Sequence, residues 1–155
     1  MTLSGVVLAV CAGPGGIPKH PLAKVAVSAK GIPGDGHNIE VHGGEHRALC
    51  LMSIEEREQM EAEGVPKLGP GGYGENLLVS ALDFRRLRPG MRMSCGMPDT
   101  EAPVVIELLD IRSPCRTLKA IDARFPDLMV GRSGFLARVI TSGVLEPGMR
   151  LTVVE

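Results

Sequence analysis

Apolar residues in this chain fall in short runs separated by clusters of glycine and proline, a pattern that predicts strands joined by tight turns rather than long helices. Strands are expected over residues 3–11, over "AKVAVSA" at 23–29, over "ALCLMS" at 48–53 and through 77–79. "VVIELLDI" and "GFLARVITSGV" read as two more. Two later segments resemble each other, "LRPGMRM" at 87–93 and "LEPGMRL" at 145–151. In each, Pro-Gly makes a turn and an alternating strand follows. About seven strands with so few helices predict a mainly β, closed or nearly closed barrel with a few short peripheral helices.

One helix is well marked. Ser53 opens "SIEEREQMEAEG" as a cap, Glu56 stands three residues on, acidic residues fill the first turn and Gly64 ends it. A second, shorter helix is predicted after Ser113, where Pro114 suits the first helical position and "CRTLKAIDA" has helix-forming composition.

Composition narrows the function classes. The 155 residues suit one domain with a real core, with 44% apolar and 23% charged residues. A net charge of −1, no tryptophan and 3% aromatics offer neither a basic field nor stacking platforms, which argues against nucleic-acid binding. The apolar run at 6–11 is too short to span a bilayer and lacks a secretory leader's basic start. Cys11, Cys50, Cys95 and Cys115 form no CxxC pair, so they are read as reduced thiols of a cytoplasmic protein.

Cys115 is the thiol with a chemical setting. In the first turn of a helix, beside Arg116, it would meet unpaired N–H groups and positive charge, both of which favour a reactive thiolate. The alternative is a small buried hydrophobe, the reading adopted for the other three cysteines. The glycine-rich stretch at 31–47 holds Gly34, Asp35, His37, His42, Gly43, Gly44, His46 and Arg47. Its histidine spacings match no common zinc motif. Its glycines would let backbone N–H groups approach an anion, with Arg47 as a forked partner, unless the stretch is simply a solvated loop. In "GGYGENL", Glu75 and Asn76 either point into a pocket or brace their own turn. Arg138 shares a strand face with Leu136 and Ile140, and alternation alone does not say whether that face is inward.

Taken in order, "GIPGDGH…HGGEHRAL", "GGYGENLLV", "RLRPGMRM", "SPCRTL" and "GFLARVITSGVLEPGMRL" resemble the MOSC domain, named for the C-terminal domain of molybdenum cofactor sulfurases. The likeness runs from about residue 23 to 153 and is to the stand-alone bacterial form. It implies a MOSC-type barrel and a molybdopterin-type molybdenum cofactor, with no pyridoxal phosphate site in this chain. It also implies that Cys115 ligates molybdenum or carries sulfur, a role that suits a soft thiolate. By the same likeness, Gly34, Asp35, His37, Gly43, Gly44, Arg47, Glu75, Asn76, Arg116 and Arg138 are the expected cofactor contacts. Relatives often carry a basic residue where this chain has Gly36.

The leading functional expectation is a small molybdenum-dependent oxidoreductase acting on N-hydroxylated or similar N–O compounds. Without a flavin or iron–sulfur signature, it would need a separate electron donor protein. The alternatives are a carrier holding persulfide on Cys115 or delivering the cofactor, and a binding module without turnover. Monomer and weak dimer are both compatible with the pattern.

Overall fold

The computed structural model describes residues 3–15, 17–36, 49–99, 101–113, 116–125 and 127–154, with the backbone alone at 116 and 117. Ten strands are seen among them. They are β1 (Ser4–Ala12), β2 (His20–Leu22), β3 (Val25–Val27), β4 (Leu49–Ser53), β5 (Leu77–Ser80), β6 (Arg92–Gly96), β7 (Val104–Ile111), β8 (Phe135–Thr141), β9 (Gly143–Leu145) and β10 (Arg150–Val154). Helix α1 (Ile54–Ala62) lies between β4 and β5.

Seven strands close a barrel in the order β1-β10-β6-β7-β8-β4-β5, with β5 returning to β1. Closure leaves no free edge among these seven, which removes the hazard of unpaired strand edges. The β2 strand adds to the outside of β1, and β3 pairs with β9 in a separate ribbon. The two similar Pro-Gly segments lead into neighbouring strands, since β6 and β10 pair with Cys95 opposite Leu151. Gly90 and Gly148 both take φ of +94°, and both donate N–H to a neighbouring strand, at Leu108 O and Val7 O.

Every ladder of the barrel is antiparallel except β4–β5. A parallel pair needs a crossover, and α1 with residues 63–76 supplies it. Ser53 Oγ accepts from Glu56 N at 3.2 Å, as the cap predicts, and Gly64 beyond the helix end takes φ of +99°.

Alternation sorts most buried side chains among the described residues into two larger cores, beside a small cluster of Ala9, Cys11 and Leu78. Leu49, Leu51, Leu77, Val79, Ile106, Leu108, Ala137 and Leu151 fill the barrel interior. On the outer face of β4, Met52 joins Met60, Tyr73, Leu118, Phe125 and Met129 in a second cluster. Tyr73 and Phe125 meet edge-on there, with ring centroids 5.7 Å apart. This outer layer is roofed by short 3-10 helices at Arg116–Ala120 and Asp127–Met129. The helix predicted to start at Pro114 is thus a 3-10 turn over its described part, five residues long, while Pro114 and Cys115 lie outside the described residues. The expected strand at 23–29 shortens to β3, and β2 occupies a stretch whose prolines and glycines predicted only turns.

Candidate functional site

Two stretches singled out by sequence, 37–48 and 114–115, lie outside the described residues, and with them His37, His42, Gly43, Gly44, His46, Arg47 and Cys115. The side chain of Arg116 is also outside. What the structure gives is the frame from which these stretches depart and to which they return.

The first departure point is residues 31–36. Asp35 accepts from Gly13 N at 3.1 Å and from Lys19 Nζ at 2.9 Å, and the Lys19–Asp35 ion pair is buried. Gly36 N donates to Gly13 O at 2.6 Å. A Cβ at Gly36 would sit 1.9 Å from Pro14 O, so this close backbone approach admits only glycine. The turn at 13–15 therefore leaves no room for a side chain at Gly36, the position where the family likeness led one to expect a basic residue. Gly34 takes φ of +82° and faces open space.

Asn76 ties this departure point to the return point at β4. Its Nδ2 donates to Asp35 Oδ2 at 3.0 Å and to Cys11 O at 3.0 Å. Its Oδ1 accepts from Cys50 N at 2.9 Å, and its backbone N donates to Cys50 O. Both ends of the 37–48 stretch thus hang on one buried amide.

Glu75 is wholly buried, with Oε2 accepting from Arg57 Nη1 at 2.7 Å and from Gly71 N at 2.8 Å, and Oε1 from Tyr73 N at 3.1 Å. Arg57 also donates to Leu68 O and Gly69 O, and its guanidinium lies 4.9 Å from the Tyr73 ring centre. Of the two readings of "GEN", the bonds seen for Glu75 include those of bracing its own turn, whereas Asn76 braces distant segments, at Cys11, Asp35 and Cys50.

The second frame is the end of β7. Arg112 N donates to Gly134 O at 2.9 Å, and Ser133 Oγ donates to Arg112 O. Gly134 takes φ of +90°, and a Cβ there would fall 1.8 Å from Leu51 O, so β4 and the 131–134 turn touch backbone to backbone. The Arg112 side chain reaches across to Tyr73 O, with Nη2 at 2.6 Å, and its charge acts on the Cys50 thiol. Arg112 is two residues from Pro114, and Cys50 is two from Ala48. The two stretches therefore re-enter the described structure beside each other.

Arg138 faces out of the barrel, since Ala137 and Val139 take the interior. It donates to Glu107 Oε1 at 2.9 Å. Hydrogen bonds from Arg92 and then Arg138 hold the Glu107 carboxyl below its ordinary range. Leu136, on the same outward face of β8, is the register partner of Cys50, which puts Arg138 one step beyond the candidate site.

Cys11, Cys50 and Cys95 are buried free thiols. Burial pushes Cys11 and Cys95 up from the ordinary value of 9.0 to about 12, and it raises Cys50 against the opposing pull of Arg112. Between pH 9.0 and 12 the unfolded chain ionises these thiols and the folded one does not, so their contribution to stability falls as pH rises through that window. Iodoacetamide followed by peptide mass spectrometry is expected to modify Cys115 first. The other three should be spared at pH 9 until denaturant is added. Native-state labelling of Cys11 or Cys95 ahead of Cys115 would contradict this order.

Sequence reasoning missed Lys19, Arg57 and Arg112. Arg112 had a visible signal, a cation closing an apolar strand immediately before "SPC". Lys19 and Arg57 had none, because their partners stand 16 and 18 residues away.

The profile of the MOSC domain family matches residues 38–152. Among solved structures, the YuaD protein from Bacillus subtilis is similar at a TM-score of 0.81 and 20% identity, covering 99% of this chain and 97% of that one. YiiM from Geobacillus stearothermophilus is similar at 0.78 and 25%, covering 97% of this chain and 75% of that one. YiiM from Escherichia coli is similar at 0.70 and 22%, covering 100% and 70%. No curated protein matches by sequence. The ordered motifs, the closed barrel and the extent of the profile match agree, and the chain belongs to the MOSC domain family.

Proposed function

We propose that this protein binds a molybdopterin-type molybdenum cofactor beside Cys50 and Arg112 and reduces N-hydroxylated or related N–O compounds. The observation that carries the reading is that the described ends of the two family segments, at Asp35, Cys50 and Arg112, meet one polar cluster. Among the described residues of that cluster Lys19 is matched by Asp35 and Arg57 by Glu75, while Arg112 pairs with no carboxylate. A donor set with a positive excess fits an anionic cofactor. Among the described residues no helix is long and apolar enough to cross a membrane.

In this reading Cys115 supplies a soft thiolate to the metal, and His37, Gly43, Gly44, Arg47 and Arg116 contact the pterin and its anionic end. Asp35, Glu75 and Asn76 hold the ends of those loops in place. Arg138 lies at the outer margin, where its guanidinium is shared with Glu107. When bound, the metal supplies the oxygen-atom chemistry, for which the protein provides position and electrostatics. Reduction of an N–O bond consumes electrons and protons and releases water, so a separate electron donor protein is required.

The test is metal and pterin analysis of protein made in a cofactor-competent host, with turnover of an N-hydroxylated amine measured using an artificial electron donor. Stoichiometric molybdenum and pterin with turnover are expected. A persulfide on Cys115 without molybdenum would instead favour the carrier reading. Molybdenum and pterin without turnover would leave a binding module.

A further inference from the structure

Three sulfur-bearing side chains gather where β6 ends and β10 begins. Cys95 Sγ donates to Met149 Sδ at 3.7 Å. Glu146 N fixes the same thioether from the other side, at 3.4 Å. Backbone bonds hold both sulfurs in place, since Cys95 stands in the β6–β10 ladder and Met149 O accepts from Val7 N at 2.8 Å. One step beyond the Arg150–Gly96 register pair lies Met97, which is half-buried. A Cβ at Gly148 would stand 3.7 Å from Met97 Cε, so that side chain lies over the turn that presents Met149.

Their surroundings are apolar. Cys95 and Met149 belong to the barrel core, and Met97 packs against it. Burial alone keeps the Cys95 thiol protonated, whereas charged groups of the polar cluster also act on Cys11 and Cys50. Two sulfurs bound at about 2.3 Å to one ion, at a tetrahedral angle, stand about 3.8 Å apart. The Cys95–Met149 separation of 3.7 Å already meets that spacing. So bent an angle calls for a third ligand, and the Met97 thioether is the sulfur packed on the same turn. The donor set also decides which ion. Thiolate and thioether are soft and select monovalent copper. One thiolate with two neutral thioethers balances a single positive charge, whereas a divalent ion would leave net charge in an apolar core.

We propose that Cys95, Met149 and Met97 form a binding site for copper(I), a soft monovalent ion held without net charge inside the barrel. Binding replaces the proton between the first two sulfurs. The Cys95 S–H bond breaks, the proton leaves to solvent and a copper–thiolate bond forms, with no electron transferred. Half-buried Met97 marks the way in, and a single ion needs a smaller opening than iodoacetamide does. The site uses neither Cys115 nor a molybdenum cofactor, so it stands or falls separately from the proposed N–O reduction.

The test is titration of the Cys115→Ser protein with copper(I), kept reduced by ascorbate without oxygen and competed with bicinchoninate. That background removes the thiol assigned to molybdenum. One tightly held copper per chain is expected, with one proton released per ion and three sulfurs around the metal by X-ray absorption. Cys95→Ala should lose the site. Met149→Leu and Met97→Leu keep the apolar bulk, and they serve as the check if the alanine variant does not fold. Each should bind at least about tenfold more weakly. Divalent zinc at equal concentration should not compete.

Copper uptake unchanged in Cys95→Ala would overturn the proposal, as would unaltered affinity in either methionine variant. Binding without proton release, displacement by zinc, or no uptake at all would do the same. In each of those cases the three sulfurs are core packing and nothing more.

Discussion

Glu75→Gln is expected to lower stability by about 3–5 kcal/mol, the loss typical of a buried ion pair deprived of one partner. The carboxylate is wholly buried, and it collects Arg57 Nη1 and the N–H groups of Gly71 and Tyr73. An amide matches part of this set but leaves the buried Arg57 guanidinium without a counter-charge. For a chain of this length the loss corresponds to a fall in midpoint on the order of 10 °C. Urea and thermal unfolding measure it directly. Arg57→Met should cost far less in the Glu75→Gln background than in the wild type, giving a large coupling energy in a double-mutant cycle. By contrast, Asp83→Asn breaks the exposed Arg85–Asp83 pair and should change stability by no more than about 1 kcal/mol. A Glu75→Gln variant as stable as the parent would mean that the 65–76 connection is held by something other than this pair.

Under the proposed function, Cys115→Ser is expected to remove molybdenum retention and N–O reduction together while leaving the unfolding curve near wild type. Serine keeps the shape of the side chain but offers a hard, protonated oxygen in place of a soft thiolate. Metal analysis of parent and variant made side by side reads the effect. Cys11→Ala, Cys50→Ala and Cys95→Ala should instead alter stability, by up to a few kcal/mol as for other core truncations, and keep the metal. Retention of metal and turnover by Cys115→Ser would withdraw the chemical reading of "SPC". Loss of metal in one of the other three variants would move it to a different thiol.

Local signals in the sequence carried much of the fold. The Ser53 cap and the Gly64 stop bracket α1 because capping is decided within one helical turn. The two Pro-Gly turns came through for the same reason, and so did the burial of Cys11, Cys50 and Cys95 within apolar runs. What stayed hidden was set at long range. Nothing near β4 announces that it pairs in parallel with β5, because only the outer packing of α1 makes that crossover favourable. Arg57 reads as a solvated residue on a polar helix, and its burial depends on Glu75, 18 residues on. Glu75 and Asn76 show the limit of reasoning from residue type. A carboxylate and an amide in a glycine turn suit a ligand or a loop equally well; here Glu75 takes the backbone donors of the turn itself, while Asn76 bonds segments 26 to 65 residues away that no local pattern reveals. Family likeness located the SPC segment, yet the reach of Arg112 to Tyr73 O, 39 residues away, became visible only in the fold.

The ladder between β1 and β10 sets Ser4 opposite Thr152, so the first strand finds one of its two barrel neighbours in the last. On a ribosome, β1 and β6 must each wait with one side open until β10 emerges. At about 5–20 residues per second that wait lasts several seconds to tens of seconds. Throughout it the nascent chain offers two unsatisfied strand edges to chaperones or to other chains. Native closure in this sense waits for β10, and any lesion that stalls or clips the message before it should yield an aggregation-prone open sheet rather than a smaller working barrel.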